Sequence, residues 1–318
     1  MNKKTFLVTG GCGFIGSHFI EKVLSQGHSV VNIDKLTYAA NRNLEFEGDY
    51  KFIEADISEL TSLPRCDFLV NFAAESHVDN SITTSDPFLK SNIEGVHNLL
   101  ELLKNKKVEN MEKGWEHAYP LFIQISTDEV FGDKEKGVGF RENDRHKPSN
   151  PYSASKSAAE QLVVAWGRTY GIPYIITRTT NNYGARQHSE KLIPRAITNM
   201  ILGKKVPVHG SGSYVRNWIH VEDNVEAILK IIEKGKRNTS YHIASDEEYS
   251  VKEIVSMIAQ KFGTTFENVA DMSSDRSGAD VRYALEYSKT KKLGWKQQRK
   301  LESSLDEMIK SYMEKTKR

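Results

Sequence analysis

Cysteine is scarce in this sequence. Cys12 and Cys66 are the two among 318 residues. They are too few for a disulfide framework or a cysteine metal quartet, and they fit a reducing compartment. An excess of one charge is also missing. Lys and Arg total 44 against 42 Asp and Glu, a formal net charge of +2. That balance leaves no electrostatic footprint for nucleic acid or an anionic membrane. No run approaches the roughly 20 apolar residues of a membrane helix. The opening MNKKTFLVTGG begins as a signal peptide does, but glycine and polar residues arrive too soon. It reads as the first strand of a cytoplasmic protein. Repeats and low-complexity segments are lacking too. What remains is an ordinary globular composition, 38% apolar and 27% charged, in a chain long enough for one or two domains.

What the sequence does have is alternation. TFLVTG (5–10), HSVVNID (28–34), YKFIEADI (50–57), CDFLVNFAA (66–74), YPLFIQIS (119–126) and PYIITRT (173–179) read as six buried strands. Between them, FIGSHFIEKVLSQG (14–27), PFLKSNIEGVHNLLELLKN (87–105) and SASKSAAEQLVVAWGRTYG (153–171) carry apolar residues at helical spacing. Apolar strands alternating with helices predict an α/β fold, a Rossmann-like doubly wound parallel sheet covered on both faces. After about residue 180 the rhythm breaks into turn-rich stretches, which predicts a smaller α/β substrate-binding domain. The boundaries expected are 1–180, rejoined by part of 205–240, and 181–318. The lysine-rich insert 104–118 and the tail 310–318 read as solvated.

TGGCGFIG sets Gly10, Gly13 and Gly16 between a strand and a helix, with Phe14 and Ile15 inside the loop. Asp34 ends the next strand about 20 residues on. Glycines let a backbone approach a pyrophosphate at a helix N-terminus, and the acid accepts ribose hydroxyls. A carboxylate there repels a 2′-phosphate, so NAD is expected rather than NADP, with Lys35 alongside as a counterweight. Asp56 and Ile57 suit the adenine. Ala73 and Ala74, in FAAESHVD, end the fourth strand beside the cofactor.

ISTDEV (125–130) places Ser126, Thr127, Asp128 and Glu129 at the end of a buried strand. Locally this is a helix cap with an acid in the first turn. NPYSASK holds Tyr152 and Lys156 four apart, one helical turn on one face. A lysine ammonium near a phenol lowers its pKa and makes it a base for an alcohol beside a hydride acceptor.

Together with TGxxGFIG and YxxxK, the strand order resembles that of the extended short-chain dehydrogenase/reductase family over nearly the whole chain. LTYAAN, FAAESHVDNSI, STDEVFGD, NPYSASK and NNYG…EKLIP resemble the nucleotide-sugar 4,6-dehydratases of the dTDP-glucose type within it. The resemblance implies that Tyr152 deprotonates the sugar C4 hydroxyl while hydride passes to NAD, and that Thr127 hydrogen-bonds the C4 oxygen. It implies that Glu129 removes the C5 proton and that Asp128, kept protonated, gives its proton to the departing C6 hydroxyl. By position, it places Tyr152, Lys156 and Asn181 on the cofactor. It places Ser76, Thr127, Asn182, Lys191, Leu192, Val208, His209, Arg216 and His242 on the nucleotide sugar, and Asp275, Arg276 and Arg282 on its diphosphate. It further implies a homodimer through a four-helix bundle built on 88–103 and 155–170. No metal site, nucleic acid or membrane is expected.

The sequence departs from that pattern at the substrate end. Ala279 replaces a histidine, Asn80 an arginine, and His209 and His242 stand where an aromatic and an asparagine are usual. The reaction expected is dehydration of a nucleoside-diphosphate hexose to the 4-keto-6-deoxy sugar, dTDP-glucose first. A UDP-sugar or another NDP-hexose is the alternative. A 4-epimerase has no use for Asp128 and Glu129, and a non-catalytic NAD-binding regulator has no use for an intact catalytic set.

Overall fold

Strand β1 (Thr5–Thr9) shows how the sequence builds the central sheet. Side chains alternate across a strand. Phe6 and Val8 enter one apolar core, while Leu7 enters another. Each face is therefore covered, and the strand is apolar throughout. In the computed structural model, residues 3–112, 119–135, 137–273 and 280–316 are described. Residues 113–118 of the expected insert, the last two residues, and Asp275, Arg276 and Ala279 lie outside them, while 104–112 continue a helix.

The other strands of this sheet are β2 (Ser29–Asp34), β3 (Tyr50–Glu54), β4 (Phe68–Asn71), β5 (Leu121–Thr127), β6 (Tyr174–Thr179) and, after three strands that lie outside it, β10 (Thr239–Ile243). Their order is β3-β2-β1-β4-β5-β6-β10, all parallel. The six strands read from sequence are all there. The seventh, β10, lies in TSYHI, a segment the sequence reading treated only as a contact. Helix α1 (Phe14–Ser25) lies on one face of the sheet, together with α7 (Val221–Lys234). The other face is covered by α4 (Gly95–Glu112) and α5 (Pro151–Tyr170).

A third core belongs to the remaining elements. These include β7 (Asn181–Tyr183), β8 (Val206–Pro207), β9 (Val215–His220), β11 (Glu248–Ser250) and β12 (Ala270–Asp271). In this core Trp218 and Ile197 pack with helices Leu192–Ile201, Val251–Lys261 and Leu301–Thr316. Strand β7 pairs with β9 in parallel, which ties the end of β6 to this third core.

The helix expected over 87–105 is broken. A short turn, α3 (Asp86–Leu89), follows α2 (Val78–Thr83) and runs into a π-helical turn at Lys90–Glu94 before α4 begins. The cause is Asn92. Its Oδ1 accepts from the Glu75 N–H at 2.9 Å, and its Nδ2 donates to the Glu75 carbonyl at 3.0 Å and to Ser155 Oγ at 2.8 Å. The widened turn lets one side chain tie α5 to the loop after β4, and such turns gather at functional sites. Among the described residues, no helix is long and apolar enough to cross a membrane.

Candidate active site

A parallel sheet opens a crevice where its strand order reverses, between β1 and β4. The loops at the carboxyl ends of β1 to β6 line a cleft of about 320 Å³ there. Gly10 has φ +70°, and a Cβ on it would lie 2.5 Å from the Ala73 nitrogen. A Cβ on Gly16 would lie 2.4 Å from the Gly10 carbonyl oxygen. These two glycines let the loop fold on itself. At Gly13 a Cβ would meet only that same oxygen, at 3.2 Å, and the residue opens into the cleft. Gly13 is also the N-cap of α1, which has no side-chain cap and no acid in its first turn. Its exposed N–H groups suit a pyrophosphate.

Asp34 ends β2 and lines the cleft. It accepts backbone N–H bonds from Cys12 and Leu36, both at 2.8 Å. Burial nonetheless raises its pKa, against those bonds and nearby Lys35 and Arg42. Lys35 is drawn elsewhere. Its ammonium donates to Ser91 Oγ at 2.7 Å and sits 3.5 Å from Asp56 and 3.9 Å from Glu75. Held by two carboxylates, it is a poor partner for a 2′-phosphate. Phe14, Ile15, Ile57, Ala73, Ala74, Ser76, Asn181, Asn182 and Lys191 line the same cleft, as do all five catalytic candidates.

Helix α5 begins at Pro151, two residues before the stretch 153–171 read as helical from the sequence. Asn150 Oδ1 accepts from the Ser153 N–H at 2.9 Å, Ser153 Oγ returns a bond to the Asn150 N–H, and Pro151 takes the first turn. This cap sets the buried face that carries Tyr152 and Lys156. Opposite them, Thr127 ends β5, and Asp128–Phe131 forms a single 3₁₀ turn. Thr127 Oγ1 accepts from the Glu129 N–H at 3.3 Å, so the capping role foreseen for this stretch is real. The same hydroxyl is 3.2 Å from Asp128 Oδ1 and hydrogen-bonds the Tyr152 phenol.

The two acids stand in different surroundings. Asp128 is 3% exposed. Burial, and then the charge of Glu129, push its carboxyl up to about 7, opposed by Arg216 and by Thr127. Glu129 Oε2 accepts from Asn150 Nδ2 at 3.4 Å and lies 3.5 Å from the Tyr283 hydroxyl, whose hydrogen goes to Asp280 Oδ2 at 2.7 Å. Near neutral pH the Asp128 carboxyl therefore holds a proton part of the time, as repulsion between adjacent carboxyls favours.

One expectation is not met. Lys156 was to lower the Tyr152 phenol, but the phenol is raised, first by burial and then by Glu129. The Lys156 ammonium instead donates to the Ile125 carbonyl at 2.7 Å, and burial lowers its own pKa to about 8.

Other sequence-assigned residues do not line the cleft. Leu192 and Val208 pack in the third core, Val208 at 1% exposure. His242 is fully buried on β10, with Arg178 at one nitrogen and the Glu286 carbonyl at the other. His209 is half-buried just after β8. The Arg282 fork is spent on Glu248, at 2.8 and 2.9 Å, and on the carbonyls of Glu135 and Gly137. Arg216 does reach the acids through its charge. It lies 4.2 Å over the Tyr283 ring and donates to the Asp280 carbonyl at 2.9 Å.

The sequence reading passed over Asn150, which stands in NPYSASK, and Tyr283, which follows Arg282. It also missed Glu190, which gathers Tyr38, His77, His188 and Lys191 within 3.4–3.9 Å at the cleft. Asn80 joins that group through the Tyr38 hydroxyl, at 3.3 Å. Four buried side-chain atoms on the cleft residues lack a protein partner among the described residues: Asp128 Oδ2, Thr180 Oγ1, Asn182 Oδ1 and Gln187 Oε1. A polar ligand fits such a lining.

Against this geometry, the chain matches over residues 7–308 the family model described as GDP-mannose 4,6 dehydratase. It belongs to that family. The dTDP-glucose 4,6-dehydratase of Haemophilus influenzae is 41% identical over 330 residues, covering 96% of this chain and 97% of its own. The low-salt glycan biosynthesis protein Agl12 of Haloferax volcanii is 42% identical, covering 96% of this chain and 98% of its own. Among solved structures, DesIV of Streptomyces venezuelae, a dTDP-glucose 4,6-dehydratase with NAD bound, superposes with a TM-score of 0.89. It is 34% identical, covering 98% of this chain and 97% of that one. The fold of this family member is that of the extended short-chain dehydrogenases/reductases.

The raised Asp128 carboxyl has a measurable consequence. A carboxyl that the fold keeps neutral contributes stability below its unfolded pKa of about 4, which is lost as pH rises through about 7. Asp128→Asn removes that loss. In calorimetric scans the variant should melt above the wild type at about pH 8, and the gap should close toward about pH 4. Parallel pH curves for the two proteins would contradict the assignment.

Proposed function

We propose that the protein is an NAD-dependent nucleoside-diphosphate-hexose 4,6-dehydratase acting on dTDP-glucose in the cytoplasm. The observation that carries this reading is the pair Asp128 and Glu129, one carboxyl buried and pushed up beside the other, in the same cleft as Tyr152, Thr127 and the glycine loop. The likeness to NAD-bound dTDP-glucose 4,6-dehydratases supports it. The division of roles among the side chains and the division of the chain at about residue 180 are parts of the same proposal. In it, the elements after that point, with Asn182, Lys191 and Arg216, hold the nucleotide sugar.

The glycine loop, Asp34 and the end of β4 hold the cofactor, whose bound nicotinamide supplies a hydride acceptor for C4 and afterwards a hydride donor for C6. Tyr152 Oη, which must be ionised against the effect of its burial, takes the proton of the C4 hydroxyl, and Thr127 hydrogen-bonds the C4 oxygen. A ketone at C4 acidifies the C5 proton, which Glu129 removes. Asp128 gives its proton to the C6 oxygen, which leaves as water. Glu129 then returns a proton to C5. Abstraction and donation on adjacent carbons need two neighbouring acids in opposite states, whereas an epimerase acts at C4 alone. Arg216 limits how far the Asp128 carboxyl rises, so the proton can still be given up near neutrality.

We also propose that α4 and α5 pair with their copies in a homodimer. Leu89, in the short helix before α4, and Tyr170, at the end of α5, are 43% and 38% exposed. Light scattering at micromolar concentration should give twice the chain mass, and a monomer would count against the bundle.

Activity is tested on a panel of dTDP-, UDP- and GDP-hexoses, scored by the alkaline absorbance of the 4-keto product. Tyr152→Phe should lose roughly 100- to 10,000-fold in turnover, the range for loss of a general base. Near-normal turnover would remove Tyr152 from the role.

The two acids are separated by a substrate with fluoride at C6, which leaves without a donated proton. Fluoride should rescue Asp128→Asn far more than Glu129→Gln. Solvent deuterium should fail to enter C5 only in the glutamate variant. Equal rescue of both would sink the division of labour.

A further inference from the structure

Beneath the catalytic turn lies a buried ion pair that none of these steps uses. Arg178, on β6, and Glu160, on α5, are 4% and 1% exposed. Arg178 Nη2 is 2.6 Å from Glu160 Oε2, and its Nε is 3.0 Å from Oε1, a two-pronged contact. The remaining donors are used as well. Nη1 donates to the Glu142 carbonyl at 2.9 Å and to His242 Nε2 at 3.2 Å. A guanidinium can only donate, so His242 Nε2 accepts and Nδ1 carries the proton to the Glu286 carbonyl, 2.9 Å away. Burial pushes that imidazole down to about 3, so it stays neutral.

Two contacts run from the pair to the catalytic segment. Ser126, the residue before Thr127, donates its hydroxyl to Glu160 Oε1. Phe131, which closes the turn begun by Asp128, lies under the Arg178 guanidinium, 4.9 Å from its carbon to the ring centroid. The pair therefore touches the chain on both sides of Thr127, Asp128 and Glu129. Glu160 also follows Lys156 by one turn of α5, and its charge favours the ammonium form there.

Stability does not account for such an arrangement. Replacing a buried ion pair by apolar side chains of similar volume is often neutral or stabilising. A fork between two charged groups differs from packed methyls in fixing distance and direction together. We propose that Glu160 and Arg178 form a positioning clamp for the dehydration: by holding Ser126 and Phe131, they set where the Asp128 and Glu129 carboxyls stand relative to Tyr152. Both are positioning residues, and the inference rests on the functional reading above.

The test uses the purified NAD-loaded enzyme. Removing one charge alone would leave the other buried and unpaired, so Glu160→Leu and Arg178→Met are combined. The double variant should keep the wild-type melting temperature and KM but lose roughly 100-fold in kcat, the effect of about 1 Å of misplacement. Reduced nicotinamide should accumulate during its turnover, because C4 oxidation by Tyr152 continues while elimination lags. A folded double variant with kcat within about threefold of wild type would overturn the clamp. Should it not fold, Arg178→Lys decides, since it keeps the charge and loses the fork and the flat face on Phe131. A roughly tenfold lower kcat at unchanged KM supports the clamp, and wild-type kcat overturns it. Absence of 4-keto product from the wild type on every hexose tested would instead defeat the functional reading, leaving the variants without a reference reaction.

Discussion

The docking of α5 against the carboxyl end of β5 is the constraint on which the site depends. Lys156 seals that docking at the Ile125 carbonyl, 2.7 Å away, two residues before Thr127. Strand β5 ends in Thr127, Asp128 and Glu129, and α5 carries Tyr152 on the same face as Lys156. A shift of either element by one residue would separate the phenol from the acids. Several unrelated features serve this one contact. The Asn150–Ser153 capping box sets where α5 starts, and the π-helical turn lets Asn92 reach Ser155. The Glu160–Arg178 pair lies one turn further along.

Within that frame, burial decides the chemistry more than any single charge. Tyr152, Lys156 and Asp128 are all shifted toward their neutral forms, and desolvation is the first cause each time. Nearby groups then tune the result. Glu129 adds to the rise at Asp128, and Arg216 subtracts from it. The outcome is one carboxyl pushed up to about 7 beside a second carboxyl, the arrangement that the proposed elimination calls for. Such a pair serves elimination across adjacent carbons and is idle in an epimerase.

The cofactor end follows the same logic of committed groups. Asp34 receives two backbone N–H bonds, and Lys35 is held by Asp56, Glu75 and Ser91. A lysine beside the ribose acid would complicate a preference for NAD if its charge faced that ribose. Here its charge is already shared with two other carboxylates. The cleft also has a polar rim around Glu190, where two histidines, a tyrosine and a lysine from separate loops meet.

Local chemistry made much of this legible in the sequence. Apolar strands, helical spacing, the glycine loop with Asp34, and the four-residue step from Tyr152 to Lys156 are short-range patterns, and the structure keeps them except in the broken helix over 87–105 and the exposed edge strand β3. Even the capping reading of STDEV survives, because Thr127 both caps the turn and faces the phenol. What the sequence alone left undetermined depends on which residues meet across the fold. Strand β10 joins the sheet only because β6 offers it an edge, which buries His242 and gives it Arg178 as a partner. Arg282 is drawn to Glu248, while Tyr283 beside it reaches Glu129, a contact spanning 154 positions. The Tyr152 phenol rises because α5 buries it, although spacing to Lys156 pointed the other way. Periodicity and motifs record what a residue does with its neighbours in the chain. Desolvation and long-range partners exist only once the chain has folded, and they set the protonation state of each acid in the site.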